Sequence, residues 1–211
     1  MSEETNTEVD LAAARKLNAE AEKLELEIKS LRIEVANEST SSENNREYVF
    51  FGEVNGNNVY RCMEVLSRWA KQDPDVPITV VFNSPGGVMS HGLALYDHII
   101  SLREKGVVVN TKAYGLAASM GAILLQAGTK RTMSPNSVMM VHEPSGGVMG
   151  SRSEMDDAVS LMNKLNDLAT DIMASRATLS RRALQNRWKR KDMWMDAKEA
   201  LKIGLIDEIG Y

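Results

Sequence analysis

At 211 residues the chain is long enough for one sizeable α/β domain with an appendage, and too short for two full catalytic domains. Its 43% hydrophobic and 26% charged residues are those of an ordinary soluble globular protein, and a net charge of −4 points to no particular partner. The charge is uneven, since residues 1–47 carry 12 Asp/Glu against 6 Lys/Arg, which leaves the remainder slightly basic.

Between Leu11 and Ala36 there is no Gly or Pro, and Ala, Leu, Glu and Lys dominate, which predicts a helix. Apolar residues at Ala14, Leu17, Ala21, Leu24, Ile28, Leu31 and Val35 step alternately by three and four, as in a heptad seam. Leu26 and Ile33 fall off the seam, so the helix either pairs with another subunit or packs along its own chain. This first unit is expected over residues 1–37, followed by a polar linker at 38–47 (ESTSSENNR and Glu47) and a body at 48–211.

In the body, strand-like and helix-like blocks alternate. Strands are expected at 48–54, 78–83, 107–114 and 137–142, and helices at 58–71, 91–105 and 119–127. That succession predicts parallel strands joined by crossover helices. Cys62 is the sole cysteine; it lies among Val59, Met63 and Leu66 on an apolar helix face and reads as a small buried hydrophobe. A long amphipathic helix follows from Ser153 to about Ala177, and Asp196 with Glu199 forms a capping box opening a short helix that stops at Gly204.

Two segments have the character of an active site. Asn83-Ser84-Pro85-Gly86-Gly87 closes a buried strand with two glycines, which can turn their N–H groups toward a ligand, although most such sequences are plain turns. Gly115-Leu116-Ala117-Ala118-Ser119-Met120-Gly121 surrounds one serine with small residues between a strand and an apolar helix. Ser119 is then either a nucleophile on a tight turn, with the Met120 N–H available to an oxyanion, or a plain helix N-cap. Of three histidines, His142 ends an apolar strand, where α/β folds place catalytic groups. His98 sits within a helix, and His91 is the rival base. For a carboxylate to orient the histidine, spacing does not separate Asp192 from Asp156, Asp157 or Asp207. The basic run 187–191 reads as a solvated helix face and not as a nucleic-acid site.

Five stretches in order, FNSPGG at 82–87, GLALYDHI at 92–99, GLAASMGAILLQAG at 115–128, SVMMVHEPSGG at 137–147 and KDMWMDAKEALKIGLIDEIG at 191–210, resemble the ClpP family of serine peptidases, the proteolytic subunits of Clp proteases. The resemblance implies an α/β fold of the ClpP/crotonase type, a spiral of ββα units with a long handle helix, here with an added N-terminal helix. It makes Ser119 the nucleophile, His142 the base and Asp192 the acid, with Gly87 and Met120 N–H groups as the oxyanion hole. Gly86, Val88, Pro144 and Gly146 would line an extended peptide. The activity it implies is endopeptidase cleavage of protein and peptide substrates inside a homo-oligomeric ring, two rings stacking through the handle, without metal or cofactor. The family's usual partner is an AAA+ unfoldase docked at the N-terminal end, which an acidic helix occupies here, and a few extra residues appear around Leu102–Val108. Such an extension resembles phage-encoded relatives that mature capsids without an ATPase. Acyl-CoA hydratases and isomerases share the architecture and the paired N–H groups but need no such triad, and a catalytically idle structural ring is a third reading. No apolar run approaches the ~20 residues of a membrane span, and the acidic start lacks a signal-peptide pattern, so neither membrane nor nucleic acid is expected and the cytoplasm is the expected location.

Overall fold

The computed structural model describes residues 20–25, 28 and 46–211. The chain divides into two units, Met1–Ser41 and Ser42–Tyr211. In the first, the described residues are helical, with Ala21, Leu24 and Ile28 of the expected seam exposed; Ala14, Leu17, Leu31 and Val35 lie outside the described residues, as does the expected linker before Arg46.

The second unit is built on a sheet of seven strands, β1 (Glu47–Phe51), β2 (Ile78–Ser84), β3 (Val109–Ala118), β4 (Arg131–Met133), β5 (Val138–Val141), β6 (Met193–Asp196) and β7 (Glu208–Ile209). Its helices are α1 (Gly56–Gln72), α2 (Met89–Glu104), α3 (Met120–Leu125), α4 (Arg152–Arg176), α5 (Arg181–Trp188) and α6 (Ala197–Lys202). β1, β2, β3, β4 and β7 lie side by side and parallel, as strands joined by crossover helices must. β2 is apolar almost throughout because both of its faces are covered, so it reads as a continuous hydrophobic run without alternation. The four expected strands pair in parallel, while β6, which was not among them, runs antiparallel to β5.

β3 is ten residues long and serves two partners on one edge. Thr111–Ala113 pair with β4, and Leu116–Ala118 pair with β5. Gly115, at φ 76° between the two stretches, lets the strand bend from one partner to the next, and its N–H donates to Ser137 Oγ at 2.9 Å. The expected end at Tyr114 therefore falls short, and the strand runs on to the residue before Ser119.

Helix starts follow their side chains. Asn55 accepts from the Asn58 N–H to open α1, Ser151 and Glu154 form a reciprocal capping box for α4, and Asp196 and Glu199 do the same for α6. Arg46, read in sequence as linker, is buried, and its guanidinium donates to Trp69 O at 2.9 Å and Asp73 O at 2.5 Å, closing the C-terminal end of α1. The core beneath gathers Phe50, Leu66, Trp69, Phe82, Leu95 and Leu124, with the Phe50 and Phe82 rings 5.6 Å apart. Truncating one of these, such as Leu66→Ala, costs about 2–5 kcal/mol. Cys62 belongs to this core and burial pushes its thiol far up, so it stays an uncharged thiol. Among the described residues no helix is long and apolar enough to cross a membrane.

Candidate active site

Every residue of α3 is buried, which fixes that short helix against the sheet and gives the chain no slack between β3 and α3. The connection is one residue, Ser119, at φ 53° and ψ −120°. A non-glycine residue there carries strain on the order of 1–3 kcal/mol, tolerated only where the surroundings hold it. Here they do: the Ser119 N–H donates to Met140 O at 2.8 Å, and Ser119 O accepts from the N–H groups of Ala122 and Ile123. The side chain makes no capping bond to the helix, so the plain N-cap reading does not hold. The hydroxyl stands clear of the turn.

His142 follows β5 by one residue. The register Ala118↔Met140 sets the ends of β3 and β5 together, and His142 Nε2 lies 2.8 Å from Ser119 Oγ. His91 is exposed at the start of α2 beside Gly56, and His98 Nε2 lies 3.1 Å from Ser67 Oγ. Burial, helped by the charge of Lys105, moves His98 below the ordinary histidine range, as expected of a neutral imidazole wedged between two helices.

Among the four candidate carboxylates, topology separates them. Asp207 is engaged by Arg131, whose Nη2 donates to it at 2.5 Å and whose Nε and backbone N–H donate to its other oxygen. Asp156 and Asp157 are exposed in the first turns of α4. Asp192 immediately precedes β6, which pairs with β5 at Val141↔Met193, so the ladder continued by one step sets Asp192 across from His142. Among the described residues no hydrogen bond joins the two, and Asp192 is exposed. Beside them the Glu143 carboxylate accepts from the Arg190 N–H at 3.0 Å, tying the turn before Asp192 to the residue after His142.

The second turn, at the end of β2, presses on the first. A Cβ added to Gly86 would lie 2.6 Å from Ser119 Cβ and 3.0 Å from Met120 N, and one on Gly87 would lie 2.4 Å from Val54 O. Only glycine fits at either place. Val54 bridges Gly87, its N–H donating to Gly86 O and its carbonyl accepting from Val88, while the Gly86 N–H is taken by Ser84 Oγ at 3.1 Å. That serine-to-backbone bond is what makes Ser84-Pro85-Gly86 a turn, and it was legible only as one. The N–H groups of Gly87 and Met120 donate to nothing among the described residues. Two free donors on adjoining turns beside a serine hydroxyl match what a developing oxyanion requires.

These groups open into a cleft of about 850 Å³ lined by Gly86, Gly87, Val88, Ser119, Met120 and His142, with Pro144 and Gly146 on its far wall and α4 along one side. All of the expected site residues except Asp192 line it. Glu53 lines it too, and nothing in its local sequence marked it. Among the described residues no cluster of His, Cys, Asp or Glu could hold a metal ion.

A sequence model of the family described as Clp protease matches residues 33–211. ATP-dependent Clp protease proteolytic subunit 2 of Chlamydia pneumoniae is 38% identical over 141 residues, covering 65% of this chain and 67% of that protein. The protein of the same name from Chlamydia trachomatis serovar D is 40% identical over 140 residues, with the same coverage. ATP-dependent Clp protease proteolytic subunit 1 of Chlamydia felis is 38% identical over 141 residues, again covering 65% and 67%.

Proposed function

Because this chain belongs to the Clp protease family, we propose that it is a serine endopeptidase in which Ser119, His142 and Asp192 cleave peptide bonds inside a chamber formed by copies of the chain. The observation that carries the proposal is the 2.8 Å contact between Ser119 Oγ and His142 Nε2 on a strained, fully supported turn. In this reading the neutral imidazole accepts the Ser119 proton at Nε2 as Oγ attacks the scissile carbonyl carbon. The Gly87 and Met120 N–H groups receive the oxyanion. The C–N bond then breaks as His142 returns the proton to the leaving amine, and water, deprotonated by the same imidazole, releases the acyl group. Accepting at Nε2 puts the imidazole proton on Nδ1, and Asp192, across the β5–β6 ladder, is the carboxylate to receive it. Closing of the Asp192 contact accompanies substrate binding, since catalytic hydrogen bonds often tighten only in the complex. Main-chain groups of Gly86, Val88, Pro144 and Gly146 would pair with an extended substrate, giving recognition by backbone.

The surface of α4 supports the chamber. Its first turns carry Val159 and Leu161, each 56% exposed, with Met155 and Leu168 also open, which is more apolar surface than a solvated helix needs. Covering it with another copy of the chain would make the oligomer. Peptides short enough to diffuse in require no unfoldase. We place the protein in the cytoplasm, where a buried thiol such as Cys62 persists.

The test is the peptidase rate of Ser119→Ala, His142→Ala and the double variant. Each single change is expected to lower kcat on the order of 10⁴-fold or more, with little further loss in the double. Asp192→Asn is expected to lower it greatly with the fold intact. Activity that survives in His142→Ala and disappears in His91→Ala would move the base and sink the assignment.

A further inference from the structure

Among the described residues lining the cleft only two are ionisable, His142 and Glu53, and neither Lys nor Arg is among them. We propose that Glu53 is a specificity-determining residue, a fixed negative charge that favours substrates carrying Lys or Arg close to the scissile bond. The inference rests on the peptidase reading of the same cleft.

Glu53 stands just past the end of β1, one residue before Val54. Val54 is fully buried, and side chains alternate along extended chain, so Glu53 points away from the core and to the cleft side. Its backbone is held on every side. The Gly52 N–H donates to Asn83 O at 2.9 Å, the Val54 N–H to Gly86 O at 2.8 Å, and Asn58 Nδ2 to Glu53 O at 2.8 Å. The segment so pinned bridges Gly87, whose N–H is the proposed oxyanion donor, so the Glu53 backbone is held next to that donor and its side chain lines the same cleft. Among the described residues the carboxylate accepts no hydrogen bond and joins no ion pair.

The rest of the lining is largely apolar, including Val88, Met120, Met162, Leu165 and Trp188. A bound peptide lying over these side chains displaces water and lowers the local dielectric around Glu53, which strengthens its attraction for a cation and its repulsion of an acid. One carboxylate suits a monovalent organic cation; a divalent metal would need more oxygen ligands than this wall offers. Because Glu53 is exposed, the effect belongs at the modest end for ion pairs, a preference of about two- to fivefold.

The experiment uses the full chain and sets of fluorogenic peptides identical except for Lys, Gln or Glu at one position, moved in turn along the residues flanking the cleaved bond. kcat/KM is measured for wild type, Glu53→Gln and Glu53→Lys at low and high salt. The wild type is expected to favour Lys over Gln about two- to fivefold at one or more positions, with the ratio shrinking at high salt. Glu53→Gln should bring that ratio near one, and Glu53→Lys should turn the preference toward the Glu peptide. A Lys/Gln ratio near one at every position in wild type, or a ratio that survives Glu53→Gln, would overturn the inference while leaving the peptidase reading standing. No Ser119-dependent cleavage of any peptide would overturn the peptidase reading, and this inference with it.

Discussion

Ser119 illustrates how one residue's backbone can be dictated by its neighbours. Its sequence surroundings, small on both sides, suggested either a nucleophile turn or an ordinary cap; what decides between them is a pair of dihedral angles, which no local composition reveals. The angles are enforced by the Met140 carbonyl on one side and by Gly86 packed against its Cβ on the other. Gly86→Ala would place a methyl group against Ser119 Cβ, Ala118 O and Met120 N on the nucleophile's turn, at a φ of +97° that already disfavours any side chain. We expect it to cost about 1–3 kcal/mol and to lower the peptidase rate at least on the order of 100-fold, because the nucleophile and both N–H donors shift together. Gly106→Ala is the control: its φ is +93°, but nothing lies within 4 Å, so it should cost on the order of 1 kcal/mol and leave the rate alone. Thermal melts and peptidase assays of the two variants separate strain from lost geometry. Residue types and strand ends left His91 open beside His142, and spacing left Asp192 among four carboxylates; both assignments came from the family resemblance, and the β5–β6 register that favours Asp192 is non-local.

The elements that sequence pattern missed are the short ones. β4 is three residues with Arg131 at its head, β7 is two, and β6 begins just after a basic run; none is long enough to show a period. The long apolar strands and the capped helices were readable because their signals are local. β4 and β7 instead exist through a side-chain clamp. Arg131 is buried, donates to Gln126 Oε1 at 2.7 Å and Gly204 O at 2.9 Å, and holds Asp207 at the start of β7. Partial burial by itself pushes the Asp207 carboxyl up, but the hydrogen bonds and charge of Arg131, aided by Arg176, outweigh it and hold the group below its ordinary value near 3.8. A carboxylate whose pKa is depressed by folding adds stability that is full above its unfolded value and is lost as pH falls through the folded one. Stability should therefore hold from neutral pH to about 5 and decline below about 4, with part of that acid decline absent in Asp207→Asn. At neutral pH the same variant should be less stable by about 1–3 kcal/mol, a figure discounted because the Asp207 side chain is 37% exposed. Urea unfolding at a series of pH values reads both effects.

For the molecule as a whole, the apolar surface on α4 is what supports the proposal that copies of the chain assemble. In sequence the amphipathic pattern of that helix was plain, but periodicity cannot tell a face turned to the chain's own core from one turned to another copy. Only Ala169, Thr170, Ile172 and Met173, near its C-terminal end, are buried within the chain. Val159→Glu with Leu161→Glu should shift native mass toward smaller species, since two charges would enter a desolvated interface; an unchanged mass would show that α4 is no contact. Everything proposed for the chamber depends on Ser119 being a nucleophile activated by His142. Peptide mapping by mass spectrometry after reaction with a fluorophosphonate tests that most directly. The account predicts one adduct, on Ser119, formed in wild type and lost in His142→Ala; an adduct on another residue, or equal labelling of Ser119 without His142, would contradict it.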